Sequence, residues 1–473
     1  MSEMIEELRA ALSPERVMES KLELHLYGRD AGVYRGNPSV VVMPETTPEV
    51  IEIVKIAGRH SVPVVARGAG TGLAAGAVAT EGGIVLVTTR MNQIHEIDSI
   101  KKTAWVGPGV INLDLSKAAA SYGLYFAPDP SSQAACTIGG NVANNSGGPH
   151  CLAEGSTVNH VLALEVVLPD GSIEILGSEA PDPIGLDLRG VMVGSEGTLG
   201  LVTRALVKLT PIAPDIRTLL CSFSSISDAA ATVSGVIARG VVPAALEMMD
   251  QRIVQAVENW LHAGLPTEAA GILLAEVVGE TAAVAAEAEI IAEVARSNNA
   301  LEVKVAGSEE ERALLWKCRK SAFGAVAQAA PNYYLHDTVV PRTRLVETMA
   351  KVYEIGQRHD LVMMNVFHAG DGNLHPLMMF DASEPGMIER VQAAADELVE
   401  VCVAAGGVLS GEHGIGREKR DLMPLMFNSA DLDAQARVKE TFDPLGRFNP
   451  GKILPAGSRC FDQSGALPAG AWV

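Results

Sequence analysis

The sequence predicts an α+β protein of more than one domain, and two observations carry that reading. The first 210 residues interleave short apolar runs, helical stretches and glycine-rich turns, a mixture of helices and strands around a large sheet. From Asp215 onward, alanine-rich helical stretches alternate with strand-like runs, which fits helices packed on one antiparallel sheet better than a doubly wound parallel sheet. At 473 residues the chain is long for one domain, and two or three parts can each bury a core.

After a short helical lead, residues 39–43 (Ser-Val-Val-Val-Met) read as a buried strand. Thr47-Pro48 supplies an N-cap and a first-turn proline for a helix running to about His60. Ser61 to Ala66 is the next strand and runs straight into a glycine-rich loop. Further strands are expected at 84–88, 103–107, 162–168 and 201–209, with Pro169-Asp170-Gly171 as a turn. A boundary near 211–216 (Pro-Ile-Ala-Pro-Asp-Ile) separates a first domain, 1–215, from a second, 216–425. The second should carry helices at 227–239, 281–297 and 386–405, and strands at 218–223, 271–278, 301–305, 335–340 and 361–367. A C-terminal segment, 426–473, holds a helix over 431–444. There is no repeat of fixed period and no low-complexity tract.

Composition narrows the function. Hydrophobic residues make up 48% of the chain, as in compact globular proteins, and the net charge of −20 argues against binding nucleic acid. The cysteines at 136, 151, 221, 318, 402 and 460 are scattered without a Cys-x-x-Cys pair. That spacing argues against a disulfide framework, a zinc ribbon or an iron–sulfur cluster in this chain. The start is acidic and amphipathic rather than leader-like, and no run of about eighteen apolar residues could span a membrane. The expected location is the cytoplasm, or the membrane periphery through a partner. A homo-oligomer is expected.

Three loops are rich in glycine and amide side chains. Arg67-Gly68-Ala69-Gly70-Thr71-Gly72 lets backbone N–H groups approach an anion, but its spacing and the residues after it do not make a Rossmann fingerprint. Alone it reads equally well as a tight surface turn. Residues 137–148 (Thr-Ile-Gly-Gly-Asn-Val-Ala-Asn-Asn-Ser-Gly-Gly) and 194–200 (Gly-Ser-Glu-Gly-Thr-Leu-Gly) add two more. Together they point to a long ligand gripped at several points, such as a dinucleotide.

The densest chemistry lies at His368-Ala-Gly-Asp-Gly-Asn-Leu-His375 and Glu412-His413. Asp371-Gly372 signals a two-residue hairpin between strands 362–367 and 374–380. His368 would then pair with His375, about 5 Å apart at Cβ, a spacing that suits one divalent ion. A lone His-x6-His pair is usually coincidence; Glu412 strengthens the case by completing a set of two histidines and a carboxylate. His413, pointing to the other side of an extended segment, would stay free to move a proton. Asp371 reads as a turn residue, and His150, His160 and His336 as loop or core histidines.

These motifs, with Pro128-Asp129-Pro-Ser-Ser132, Glu247-Met-Met-Asp250, Trp316-Lys-Cys-Arg319, Gly411 to Lys419 and Asn449-Pro-Gly-Lys452, resemble the FAD-dependent oxidoreductases of the vanillyl-alcohol oxidase type, in their D-2-hydroxyacid dehydrogenase branch. The resemblance runs from Val40 to Lys452. It implies a two-part FAD-binding domain closed by the C-terminal segment, and an α+β cap domain with an antiparallel sheet that carries metal and substrate groups. Cofactor contacts implied are Arg67, Gly68, Ala69, Gly70, Thr71, Gly72, Pro128, Asp129, Gly139, Gly140, Ala143, Asn144, Asn145, Ser146, Gly148, Thr157 and Val202. Glu196 and Gly197 would approach the adenosine end, and Asn449 and Lys452 would close over the cofactor. His368, His375 and Glu412 match the metal ligands (zinc, manganese or iron), His413 the base, and Arg319 the anchor of a substrate carboxylate. An ordinary surface ion pair is the alternative for Arg319.

Two departures refine this. Thr71 stands where many relatives attach FAD through a histidine, so binding should be non-covalent. Leu335 stands where relatives using 2-hydroxyglutarate carry a lysine, which favours a short monocarboxylate such as glycolate or D-lactate. The expected activity is therefore oxidation of a short D-2-hydroxyacid to the 2-oxoacid, with hydride passing to flavin N5. D-2-hydroxyglutarate oxidation and a non-catalytic FAD-binding subunit are the alternatives. A metal-dependent hydrolase would use the same histidines but would not need three glycine loops. Electrons must leave to oxygen, a quinone, a soluble carrier or an iron–sulfur partner subunit.

Overall fold

The computed structural model describes residues 2–79, 82–180, 182 and 185–455. The N-terminal part holds two main sheets rather than the single large one expected. The first has the order Val17–Met18, Val40–Val42, Ile84–Val87, Val64–Arg67. Its last three strands are parallel and buried, with helix Thr47–Arg59 crossing between Val40–Val42 and Val64–Arg67. The turn at Thr88–Arg90 then leads the chain out of this sheet into an antiparallel one. Its order is Ile94–Asp98, Thr103–Val106, Leu201–Lys208, Val161–Val167, Ile173–Gly177. The two edge strands of this second sheet escape a reading based on apolar alternation because they are largely solvent-facing.

The helix cap falls one residue earlier than expected. Thr46 accepts from the Glu49 amide, while the hydroxyl of Thr47 donates to Glu165 in the second sheet at 2.8 Å. That bond ties the two sheets together.

The second part is an antiparallel sheet in the order Ala300–Val305, Asp215–Phe223, Gly271–Gly279, Ala245–Asp250, Val362–His368, Asn373–Leu374, Thr338–Val339, with Pro376–Phe380 joining Val362–His368 to Asn332–Leu335. Helices Ile226–Ala238, Thr281–Ser297 and Met387–Ala404 lie where the periodicity places them. Alternation along Val362–His368 separates two cores. Phe367 packs with Leu246, Met248 and Leu273, whereas Met364 and Val366 pack with Met249, Ile272 and Leu377 on the other face. His368 shares the second face. Among the described residues no helix is long and apolar enough to cross a membrane.

Candidate active site

The histidine hairpin is wider than a two-residue turn. His368 pairs with Asn373 and Asn365 with Pro376, so residues 369–372 form a four-residue loop. Gly372, at φ +78°, closes it, and its carbonyl accepts from the Val340 amide at 3.0 Å. This tertiary contact, with Arg342 donating to the Gly370 carbonyl at 3.0 Å, holds a loop that local turn chemistry does not select. The register has moved by two residues, which returns every side chain to its expected face. His368 and His375 are therefore diagonal rather than opposite, with ring centroids 5.0 Å apart.

Both rings turn Nε2 toward Glu412. His375 Nε2 lies 3.0 Å and His368 Nε2 3.2 Å from Glu412 Oε1. Their other nitrogens are anchored: His368 Nδ1 meets Glu247 at 2.8 Å, and His375 Nδ1 meets the His336 carbonyl at 3.3 Å. Three ligand atoms from His368, His375 and Glu412 lie within 4.8 Å of one another. Glu412 Oε2 is buried with no hydrogen-bond partner among the described residues. This arrangement fits a divalent cation, because each imidazole has its free nitrogen at the shared point and its rear nitrogen fixed. Burial works against charge on His368, but Glu247 and then Glu412 raise its pKa well above the usual range. A bound cation would take the place of that proton.

His413 does not point away from Glu412. Residues 410–413 curl around the carboxylate of Asp337, which accepts from Ser410 Oγ (2.5 Å) and from the amides of Gly411 (3.0 Å), Glu412 (3.3 Å) and His413 (3.1 Å). Lys419 balances that buried charge. The curl brings the His413 ring flat against His375, 5.2 Å between centroids and 3° between planes. Burial pulls its pKa to about 4, against the opposing charge of Asp337, so the ring stands neutral near pH 7. A neutral imidazole on a cavity wall can accept a proton.

Arg319 is fully buried, which excludes the surface ion pair. Its Nη2 lies 2.5 Å from Glu247 and 3.5 Å from His368 Nδ1, while Nε and Nη1 have no partner among the described residues. It stands behind His368. Glu247 thus links the arginine to the histidine, a role sequence reasoning did not assign. The available signal was a carboxylate inside a strand buried along its whole length, Ala245–Asp250, where an unpaired charge is not tolerated.

One large cavity joins the glycine loops to these groups. Arg67, Gly68, Ala69, Gly70, Thr71, Gly72, Gly139, Gly140, Ala143, Asn144, Ser146, Glu196, Gly197 and Val202 line it, and so do His375, Glu412 and His413. Lys320, Phe323, Tyr333 and Leu335 form its wall beside the histidines and were not singled out from sequence, apart from Leu335. The remaining candidates support this wall. Pro128 accepts from Asn112, the Asn145 side chain holds Ser156 and Val158, Gly148 packs on Asp129, and Thr157 donates to the Ser146 carbonyl. Asn449 and Lys452 line a second cavity, with Asn449 donating to the carbonyls of Gly76 and Glu196.

Gly68 lets the first glycine loop pack closely on residues 137–140. A Cβ at Gly68 would run into Thr137 Oγ1, which accepts from the Gly140 amide across the cavity wall. Overpacking of this kind costs about 1–3 kcal/mol. Gly68→Ala is therefore expected to weaken FAD retention about tenfold or more, read by equilibrium titration of the flavin-free chain.

The two parts are tied by a charged cluster. His150 Nδ1 lies 2.9 Å from Asp129, and its Nε2 lies 3.4 Å from Glu276 of the cap sheet. Burial opposes its charge, but Asp129 and Glu276 push its pKa up to about 10. A folded pKa above the unfolded value of about 6.5 stabilises fully below 6.5 and loses that contribution as pH rises through about 10. Melting of wild type and His150→Gln should therefore differ most at pH 6 and converge toward pH 10.

Comparison with known proteins decides the family. The model for the C-terminal domain of FAD-linked oxidases matches residues 212–453, and that for the FAD binding domain matches residues 38–177. The chain belongs to the FAD-linked oxidases. It is an FAD-dependent oxidoreductase, and two of its three glycine loops, 67–72 and 137–148, lie within the matched FAD binding domain. It is similar to the glycolate oxidase subunit GlcD of Escherichia coli (strain K12), 46% identical over 90% of this chain and 86% of that protein. A D-lactate dehydrogenase of Anaerostipes hadrus is 32% identical over 95% of this chain and 97% of its own. Among solved structures, p-cresol methylhydroxylase superposes with a TM-score of 0.81 at 17% identity, covering 96% of this chain and 97% of that one, which shows that the two share a fold.

Proposed function

We propose that this FAD-linked oxidase converts a short D-2-hydroxyacid, glycolate or D-lactate, to the 2-oxoacid. The observation that carries the reading is that His375, Glu412 and His413 line the same cavity as the three glycine loops. Residues 1–215 would hold non-covalent FAD, residues 216–425 would supply the catalytic groups, and 426–473 would close over the cofactor; residues 456–473 lie outside the described residues. FAD, when bound, supplies the acceptor for the hydride leaving the α-carbon. His368, His375 and Glu412 would hold a divalent cation (zinc, manganese or iron), which supplies Lewis-acid polarisation of the substrate hydroxyl.

The chain's own groups do the rest. His413, neutral and on the wall, takes the hydroxyl proton. Stacking on His375 and the Asp337 bond to its amide fix its ring and its main chain. Arg319, buried behind His368 and off the cavity wall, would act through Glu247 to hold His368 rather than meet the carboxylate itself. Phe323, Tyr333 and Leu335 give the wall an apolar character that suits a small substrate and helps exclude water.

The relatives named as a subunit support a partner that carries electrons onward, such as an iron–sulfur protein; a quinone or soluble carrier would serve the same end. A panel of D-hydroxyacids, read by anaerobic bleaching of the flavin, tests the assignment. Glycolate or D-lactate should bleach faster than D-2-hydroxyglutarate, and equal or reversed rates would overturn the substrate class. Leu335→Lys should shift kcat/KM toward D-2-hydroxyglutarate about tenfold to a hundredfold, the worth of ~1.5–3 kcal/mol for a charge-assisted hydrogen bond.

A further inference from the structure

The loop that carries Glu412 and His413 hangs between two anchors. On the cap side it wraps the Asp337 carboxylate. On the other side it is held by two residues of the cofactor cavity wall. Asn144 Nδ2 donates to the His413 carbonyl at 2.6 Å, and Glu196 Oε1 accepts from the amides of Ile415 and Gly416 at 2.8 and 2.9 Å. Gly414, between these contacts, sits at φ +89°, and a Cβ there would lie 2.7 Å from Glu196 Oε1 and 3.0 Å from Asn144 Nδ2. Only glycine allows so close an approach.

The two cavity residues are themselves joined, since the Glu196 amide donates to the Ala143 carbonyl at 2.8 Å. Glu196 occupies a left-handed position at φ +51°, a setting that a side chain adopts only when its surroundings enforce it. The same wall also touches the proposed ligand directly, because a Cβ at Gly147 would come within 3.0 Å of Glu412 Oε2. All of these contacts fix where Glu412 and His413 stand.

We propose that Asn144 and Glu196 are positioning residues that clamp the 411–416 loop, so that FAD in the cavity and a cation at His368, His375 and Glu412 strengthen each other's binding. The clamp itself rests on geometry; the cation half rests on the metal site proposed above. A ligand that orders residues 137–148 and 194–200 orders the loop they hold. Linkage then requires the cation to return the same factor to FAD, within the 5- to 150-fold range of typical couplings, so about tenfold is expected.

Amide hydrogen exchange of the full chain, free of metal, tests the clamp alone. FAD should slow exchange at residues 414–416 by about tenfold or more, and unchanged exchange would overturn the proposal. Zinc affinity, measured by competition with a chromophoric chelator on apo and FAD-loaded chain, tests the coupling. It should tighten about tenfold with FAD, lose that gain in Glu196→Ala, and keep it in Glu196→Gln, whose amide oxygen still accepts. If Glu196→Ala fails to take up FAD, Gly414→Ala breaks the same contacts from the loop side. Equal zinc affinity with and without FAD overturns the coupling and leaves the metal site standing. Absence of zinc binding in both preparations overturns the metal site, and hydrogen exchange still decides the clamp.

Discussion

His413→Ala should slow flavin reduction by substrate about a hundredfold to ten-thousandfold, the usual worth of a positioned general base. Substrate affinity should change little, because the ring is assigned a proton transfer rather than a hold on the substrate. The reason for so large an effect lies in how much structure converges on one ring. Asp337 fixes its amide, Asn144 its carbonyl, and His375 its plane. Burial keeps the imidazole neutral, with its pKa pulled to about 4. Stopped-flow bleaching under anaerobic conditions separates the two parameters. Reduction at the wild-type rate would remove His413 from the chemistry.

His375→Ala should be nearly as severe, though for a different reason. It removes one of the proposed ligand atoms, leaves Glu412 Oε1 with a single imidazole, and takes away the ring against which His413 stacks. Lewis-acid stabilisation of several kcal/mol corresponds to about a thousandfold in rate. The variant should still take up FAD, because the glycine loops remain, but about tenfold more weakly once the coupled cation is lost. Elemental analysis should show the cation lost with the activity. A variant that kept its rate after losing its cation would break the link between them.

The outline of this site was legible in the chain, and its failures are instructive. His368, His375 and Glu412 converge despite the different hairpin because the loop is longer by two residues, and two is the period of a strand. His413 was expected to point to the other side of an extended segment from Glu412, but the segment is curled and the ring stacks on His375. What curls it is Asp337, about seventy residues earlier in the chain, and no local pattern announces such a contact.

Arg319 shows a similar limit. Sequence could propose a cation near substrate, but not that Glu247 would draw it behind His368. In the N-terminal part, the buried Val-rich strands were clear, whereas the exposed edges Ile94–Asp98 and Ile173–Gly177 were not. Apolar pattern marks what is buried; it says little about a strand that only completes a sheet. The split into two sheets followed from those unseen edges.

In the proposed reaction, a flavin held by the glycine loops and a cation held by His368, His375 and Glu412 act on the same substrate. Anaerobic flavin bleaching by glycolate or D-lactate, before and after removal of metal by a chelator, tests it most directly. The untreated chain should bleach, the chelated chain should stay yellow, and zinc, manganese or iron should restore bleaching. Undiminished bleaching by the metal-free chain would contradict it.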